Sequence, residues 1–401
     1  MSEWKLKDCC LSISDGDHLP PPKTDVGIPF ITISNIDSTN HIDFADTLFV
    51  PQEYYDNLDP IRKPIVNDII YSVVGSFGKP VLIKKNKKFV FQRHIAILRP
   101  NRDIVDSSYL YYVMLSQKFY LQADTLAIGA AQRTISLTSL RNMKINIPPM
   151  AIQLGIATIL SRYDSLMENY QEQIRLLEEA SQRLYKEWFI NFNFPGHEKA
   201  KIVDGMPEGW EKKRITDLLE IKYGKDHKTL SNGSVPVYGT GGIMRYVDKS
   251  LYSGESVLIP RKGSLNNNML VNCTFWTIDT MFYTIPKIEN AAKIAYFNLR
   301  ERDMYSMNIG AAVPSMTINI LNGMELLLPD ATIRKQFEKI TGNYYRLISY
   351  LHSQIRTLTE ARDRLLPKLM SGEISVETAQ SVTSGLGVRK EQTDSPQATD
   401  S

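Results

Sequence analysis

The segment IGAAQRTI at 128–135 returns as IGAAVPSM at 309–316. The same shift of 181 positions keeps the two halves of the chain aligned well beyond that segment, without a gap. Gly129 falls on Gly310, Leu140 on Leu321, Met143 on Met324 and Pro148 on Pro329. Farther on, Tyr163 falls on Tyr344, Gln173-Ile174-Arg175 on Gln354-Ile355-Arg356, and Arg183-Leu184 on Arg364-Leu365. The interval is far longer than the ~20–50 residues of a solenoid repeat. It describes a duplicated domain with its following helix. Trp4 opens the first copy and Trp210 the second, an offset of 206. The first copy therefore carries extra residues, and the Asp-, Pro-, Thr- and Asn-rich stretch 15–60 is their expected place.

The closely repeating parts are helical. Apolar residues run at 3-4-3-4 spacing through Ile152, Ile156, Ile159, Tyr163, Leu166, Tyr170, Leu177, Ala180 and Leu184, and again through Ile333, Phe337, Ile340, Tyr344, Leu347, Leu351, Leu358, Ala361 and Leu365. That is a heptad seam, the pattern of coiled-coil packing. Gln173 and Gln354 interrupt it once each, and a polar seam residue costs stability but fixes register. Helices are expected over 151–190 and 331–375. About 39 residues at ~1.5 Å each reach nearly 60 Å, longer than a small domain is wide. The helices are therefore expected to pack on each other, not each on its own domain. Pro148-Pro149 and Pro329-Asp330 precede them, as suits a first helical turn. Phe194-Pro195-Gly196 ends the first, and Pro367 and Gly372 weaken the end of the second.

Each helix follows a mixed region, 1–150 or 207–330, with 191–206 as a linker. Short apolar or alternating runs bounded by Gly, Pro and Asn predict strands over 28–33, 68–74, 81–83, 89–91 and 95–98 in the first, and over 257–260, 274–278 and 281–285 in the second. Helices are predicted over 108–122 and 291–299. The tail 376–401 is Ser-, Thr-, Gln- and Asp-rich and is expected to be disordered. The fold class is α+β: two mixed domains separated by two long helices packed as an antiparallel coiled coil, with approximate twofold symmetry.

A chain of 401 residues, 43% hydrophobic and 23% charged, is globular in composition. A net charge of +3 permits a nucleic-acid partner without demanding one. Cys9, Cys10 and Cys273 show no zinc spacing, and the vicinal pair reads as two small buried hydrophobes. Neither a signal peptide nor a membrane span is evident, so a cytoplasmic protein is expected.

Fragments that hint at catalysis are weak. Asn146-Ile147-Pro148-Pro149 resembles the Asn-Pro-Pro-aromatic motif of amino-methyltransferases, but has an inserted Ile and Met150 in the aromatic position; a helix-entry turn is preferred. Tyr238-Gly239-Thr240-Gly241-Gly242 resembles a cofactor loop, but no acidic residue answers it, and a turn between strands is preferred. Glu211-Lys212-Lys213 has nuclease-like spacing but reads as a solvated charge run. No phosphate loop is present, and the six His suit neither a metal site nor a general base. The chain is expected to lack catalysis, metal and cofactor.

Binding chemistry remains. Lys84, Lys85, Lys87 and Lys88 lie between two predicted strands as a basic hairpin tip, and Arg93 follows the return strand. In the second half Arg261 and Lys262 lead to Asn266, Asn267 and Asn268. Lys and Arg on loop tips suit phosphates, and Arg and Asn can read base edges bidentately. Gln132 and Arg133 face Val313 and Pro314 across the repeat, a divergence inside a shared frame that suits sequence reading.

Domain, heptad helix, domain, heptad helix resembles the layout of the specificity (S) subunits of type I restriction–modification systems. IGAAQRTISLTSLRNMKINIPPMAIQ is similar to that family's exit from a target recognition domain into a helix. SVPVYGTGGIMRYVD and SVLIPRKGS are similar to recognition-domain segments, and ARDRLLPKLMSGEI to the family's C-terminal helix end. The resemblance implies that each domain reads one half of a bipartite double-stranded DNA target through the major groove, with the helices fixing the unread spacer. Half-sites one turn apart lie ~34–36 Å from each other. It further implies two methyltransferase subunits and, in the larger assembly, restriction–translocase subunits as partners. S-adenosylmethionine for adenine methylation, and ATP with magnesium, would be bound by those partners. Two readings compete: a self-contained DNA methyltransferase, and a coiled-coil interaction scaffold with no DNA role.

Overall fold

The computed structural model describes residues 2–16, 21–37, 39–44, 47–75, 77–129, 133–307 and 315–383. They form two compact units, and the division falls inside both long helices. One unit is Met1–Asn169 with Gln354–Ser401; the other is Tyr170–Ser353. Each unit thus combines a domain with the start of one long helix and the end of the other.

In the first unit a four-stranded antiparallel sheet runs in the order Cys10–Asp15, Ile95–Pro100, Ile69–Ser72, Pro80–Leu82. A three-stranded sheet has Ile28–Ile31 between Leu48–Val50 and Val90–Phe91. Ile31, Ile70, Val81, Phe89, Phe91, Ile95 and Ile97 form one core. Ile69–Ser72 is buried along its whole length, which explains the adjacent apolar residues Ile69, Ile70 and Tyr71. The helix expected over 108–122 is two helices, Ser107–Leu115 and Gln117–Leu126. Ser116 separates them: its backbone is extended (φ −66°, ψ 145°), and its hydroxyl accepts from the Phe119 N–H at 3.3 Å, capping the second.

The second unit is built on a six-stranded sheet in the order Leu219–Tyr223, Met281–Pro286, Tyr252–Pro260, Met269–Thr277, Asn232–Gly239, Gly242–Val247. All neighbours are antiparallel except Asn232–Gly239 with Met269–Thr277. The helix Ala292–Arg300 packs on this sheet. An aromatic core joins Trp188, Phe189, Trp210, Phe297 and Phe337, with the Phe189 and Phe337 centroids 4.8 Å apart.

Both domains close in the same way. Ser2–Lys5 pairs with Lys144–Ile147, and Glu211–Arg214 with Glu325–Leu328. The Leu6 N–H donates to Met143 O at 2.8 Å, and the Ile215 N–H to Met324 O at 2.9 Å. Ser136 and Thr317 cap the short helices Leu137–Asn142 and Ile318–Asn322. Met143 and Met324 are repeat partners as expected. At the entrance, however, Leu6 is matched by Ile215. Trp4 and Trp210 are therefore not equivalent: Trp4 sits in a strand opposite Ile145, whereas Trp210 precedes its strand and joins the aromatic core.

The first long helix is Met150–Tyr185, continued by one π-helical turn, Lys186–Ile190. The second is Ala331–Ser371, which runs through Pro367 and ends at Gly372 (φ 77°). Within the first unit Asp164 meets Arg362, Met167 meets Thr359, and Gly155 lies under Val376. Numbers rise on one helix as they fall on the other, so the pairing there is antiparallel.

Much of the expected seam is buried, including Ile156, Ile159, Tyr163, Ile333, Phe337, Leu351 and Leu358, but in places the buried position lies one residue on. Leu347 is 42% exposed while Ile348 is buried, and Ala180 is exposed while Ser181 is buried. Gln173 is exposed and Ile174 buried; Gln354 is half-buried. Gln173 is therefore not a seam residue. The pattern misled because several buried positions are polar: Gln153, Asp164, Ser181 and Thr341. A second correction concerns the tail. Val376–Thr383 is a helix; its Val376 lies against Gly155 of the first long helix, and its Ala379 is buried. The rest of the expected disordered stretch lies outside the described residues.

Candidate DNA interface

Lys84–Lys88 do not form a hairpin tip. The strand before them, Pro80–Leu82, belongs to the four-stranded sheet, and the strand after them, Val90–Phe91, to the three-stranded one. The five residues are a connection between sheets, and all are exposed. Their cations are unequally available. Lys84 Nζ lies 2.5 Å from Glu168 Oε1 on the first long helix, and His41 Nε2 lies 3.2 Å from the same oxygen. The hydrogen bonds from His41 and Lys84 hold the Glu168 carboxyl down at about 2, and the carboxylate in turn raises the His41 imidazole. Lys87 sits 3.5 Å from the Phe44 ring centroid, and Lys88 5.5 Å from that of Tyr55. Lys85 has no ion-pair partner among the described residues. Arg93 is exposed at the turn between Val90–Phe91 and Ile95–Pro100.

Gln132 lies outside the described residues, as do Val313 and Pro314. Arg133 is committed to its own unit: it pairs with Asp124 at 2.9 Å and stands 6.0 Å over the Phe77 ring. Its fixed geometry suits holding a loop better than reaching a base.

The second unit gathers its residues more tightly. Loop 261–268 follows the strand Tyr252–Pro260. Arg261 lies over the Tyr223 ring at 5.0 Å, and its Nη1 donates to Asp279 O at 2.7 Å. Lys262 is exposed. Asn266 Oδ1 accepts from the Met304 N–H at 2.9 Å, and Asn267 Nδ2 donates to Thr240 O at 2.6 Å. That last bond joins the loop to the turn of the hairpin Asn232–Gly239 and Gly242–Val247, so the Gly-rich stretch is a strand turn. The hairpin carries exposed Ile243, Met244 and Tyr246. Asn268 is buried, with neither amide atom partnered among the described residues. Asn266 and Asn267 thus shape the loop while remaining exposed, and Asn268 is turned inward.

Backbone bonds reveal which loops correspond. The Ile135 N–H donates to Val73 O, and the Met316 N–H to Arg261 O. Ile135 and Met316 are repeat partners, so loop 261–268 is matched in the first unit by the segment after Val73, not by Lys84–Lys88. That segment includes Gly75, Phe77 and Gly78; Phe77 stacks on Tyr120 at 5.6 Å. Sequence reading passed over it because it carries no charge.

The fragments suggestive of catalysis have structural roles. Asn146 lies in the strand Lys144–Ile147, where its carbonyl accepts from the Tyr109 hydroxyl, and Pro148 O accepts from Gln153 at the helix entry. Glu211 pairs with Lys213 at 2.7 Å along an exposed strand. Among the described residues no group of His, Cys, Asp and Glu could hold a metal ion. Cys9 is buried, and burial pushes its thiol up to about 11. Among the described residues no helix is long and apolar enough to cross a membrane.

Residues 4–179 and again 207–360 match the type I restriction modification DNA specificity domain. The chain belongs to that family. Each specificity domain takes in one of the domains described above and most of its following helix. The chain is 25% identical over 308 residues to the type I restriction enzyme MjaIX specificity subunit of Methanocaldococcus jannaschii, covering 69% of this chain and 71% of that one. It is 20% identical over 397 residues to the type I restriction enzyme HindI specificity subunit of Haemophilus influenzae, covering 77% and 86%. The crystal structure of a type I restriction–modification system S subunit from M. genitalium superposes with a TM-score of 0.51 at 19% identity, covering 92% of this chain and 95% of that one. The two share a fold.

Proposed function

We propose that the chain is the non-catalytic, sequence-reading subunit of a type I restriction–modification complex. Each specificity domain reads one half of a bipartite DNA target, and the long helices set the spacer between the halves. The helices also carry methyltransferase subunits, two of them, and in the larger assembly restriction–translocase subunits. S-adenosylmethionine, ATP and magnesium belong to those partners, and the complex works in the cytoplasm. The observation that carries this reading is the duplication itself: two specificity domains, each closed by the same backbone bond and each continuous with the start of one long helix. Two related but unlike domains suit an asymmetric, two-part target. Exposed Lys85, Lys88 and Arg93 in one unit and Lys262 in the other supply cations for phosphate.

Fluorescence anisotropy with target duplex tests it. Affinity is expected to be low for the isolated chain and to rise with the methyltransferase partner, because the larger complex neutralises more phosphates. Lys85→Glu with Lys88→Glu, and separately Lys262→Glu, should weaken binding and lower the salt slope by ~1 for each phosphate no longer neutralised. DNA association of the assembly untouched by these changes would favour the scaffold reading. S-adenosylmethionine binding by the chain alone would favour the methyltransferase reading.

A further inference from the structure

Asp164 is a buried carboxylate on the first long helix, and it is engaged on both oxygens. Oδ2 accepts from the Tyr112 hydroxyl at 2.6 Å, and Oδ1 from Arg362 Nη1 at 2.8 Å. Tyr112 belongs to the domain helix Ser107–Leu115, and Arg362 to the second long helix. One side chain therefore ties the specificity domain to both rods at a single point. Tyr112 is 2% exposed, Asp164 6%, and the Arg362 side chain 13%. Burial by itself would lower the Arg362 guanidinium, but the adjacent Asp164 more than offsets this and raises it. The contact is buried and held on both carboxylate oxygens, and a buried polar contact of this kind can fix an arrangement.

The second unit has a different device. Lys293 of the helix Ala292–Arg300 donates to Glu338 of the second long helix at 2.7 Å and to Glu255 of the sheet. It engages one rod, not two.

We propose that Asp164 is a positioning residue that sets the angle of the first specificity domain on the helix pair, and thereby restricts the spacer length of the DNA target. Asp164 reads no base. It limits the rotation of a reading domain about the rods, and a small rotation at the rod becomes a displacement along DNA at the reading edge. The inference rests on the DNA-reading function proposed above.

The test is methylome sequencing of cells carrying the full complex with the wild-type chain, Tyr112→Phe or Asp164→Asn. Tyr112→Phe removes a single hydroxyl and keeps the ring, so folding should survive. Both variants are expected to keep the half-site bases and to methylate sites with neighbouring spacer lengths. Discrimination between spacers should fall about tenfold for Tyr112→Phe, the size of one hydrogen bond to a charged acceptor, and further for Asp164→Asn. An unchanged spacer, with methylation either intact or uniformly reduced in both variants, would overturn the inference, and so would altered half-site bases. A wild-type methylome without any bipartite motif would instead overturn the proposed function.

Discussion

The two units mount a like domain on like helices by unlike means. In the first, one buried carboxylate, Asp164, collects a tyrosine and an arginine. In the second, Trp188, Phe189, Trp210, Phe297 and Phe337 supply a broad aromatic contact, beside a lysine shared between two partly exposed carboxylates. The difference separates what duplication preserves from what it leaves free. The backbone closure at Leu6–Met143 and Ile215–Met324 is kept, because a strand pair has few geometric solutions. The side chains at the junction diverged, because apolar area and a satisfied ion pair are alternative ways to hold one orientation. Apolar contact is strong and tolerant of small rotations. A hydrogen-bonded charge pair is directional.

The largest effect should come from the aromatic junction. Phe337→Ala is expected to cost ~3–5 kcal/mol, because a fully buried ring leaves a cavity; urea unfolding followed by tryptophan fluorescence measures it, since Trp188 and Trp210 flank the site. A loss below that of an ordinary surface change would break the comparison. Next, Arg362→Met strands the Asp164 carboxylate and should cost ~3 kcal/mol, the penalty for an uncompensated buried charge. Lys293→Met should cost less than this, because the Glu255 and Glu338 side chains are 22% and 27% exposed and can turn to water. The reverse order in thermal melts of the two variants would refute the contrast between a directional and a tolerant mount.

Smaller effects sharpen the first unit alone. A Cβ at Gly155 would stand 2.5 Å from Val376 Cγ1, so Gly155→Val should cost ~1–3 kcal/mol by overpacking. It should also free the helix Val376–Thr383, read as faster limited proteolysis there. The smallest effect is the pH dependence of the Glu168 cluster. The Glu168 carboxyl is lowered from 4.5 to about 2, so its contribution is present above pH 4.5 and lost as pH falls through about 2. The His41 imidazole is raised from 6.5, so its contribution is present below pH 6.5 and lost as pH rises through the higher folded value. Both groups are more than a third exposed, and screening keeps the total under ~1 kcal/mol. Glu168→Gln should flatten both limbs in urea midpoints measured against pH; unchanged limbs would show that the ion pair contributes nothing through its charge.

Much of this architecture is legible in the chain. The shift that places Met143 on Met324 fixes the duplication, and heptad spacing fixes two long helices, because both are properties of local pattern. What tertiary structure alone decided are the partners. The buried helix faces also take in Asp164 and Arg362 beside the apolar seam, because the two satisfy each other and so can leave water where the pattern marks only apolar side chains. Lys84–Lys88 link two sheets, not two paired strands, because strand pairing is chosen by distant backbone groups that carry no sequence label. For the same reason Arg133 and Asn267, chosen for their chemistry, hold loops in place: a donor's task is set by the nearest acceptor in space.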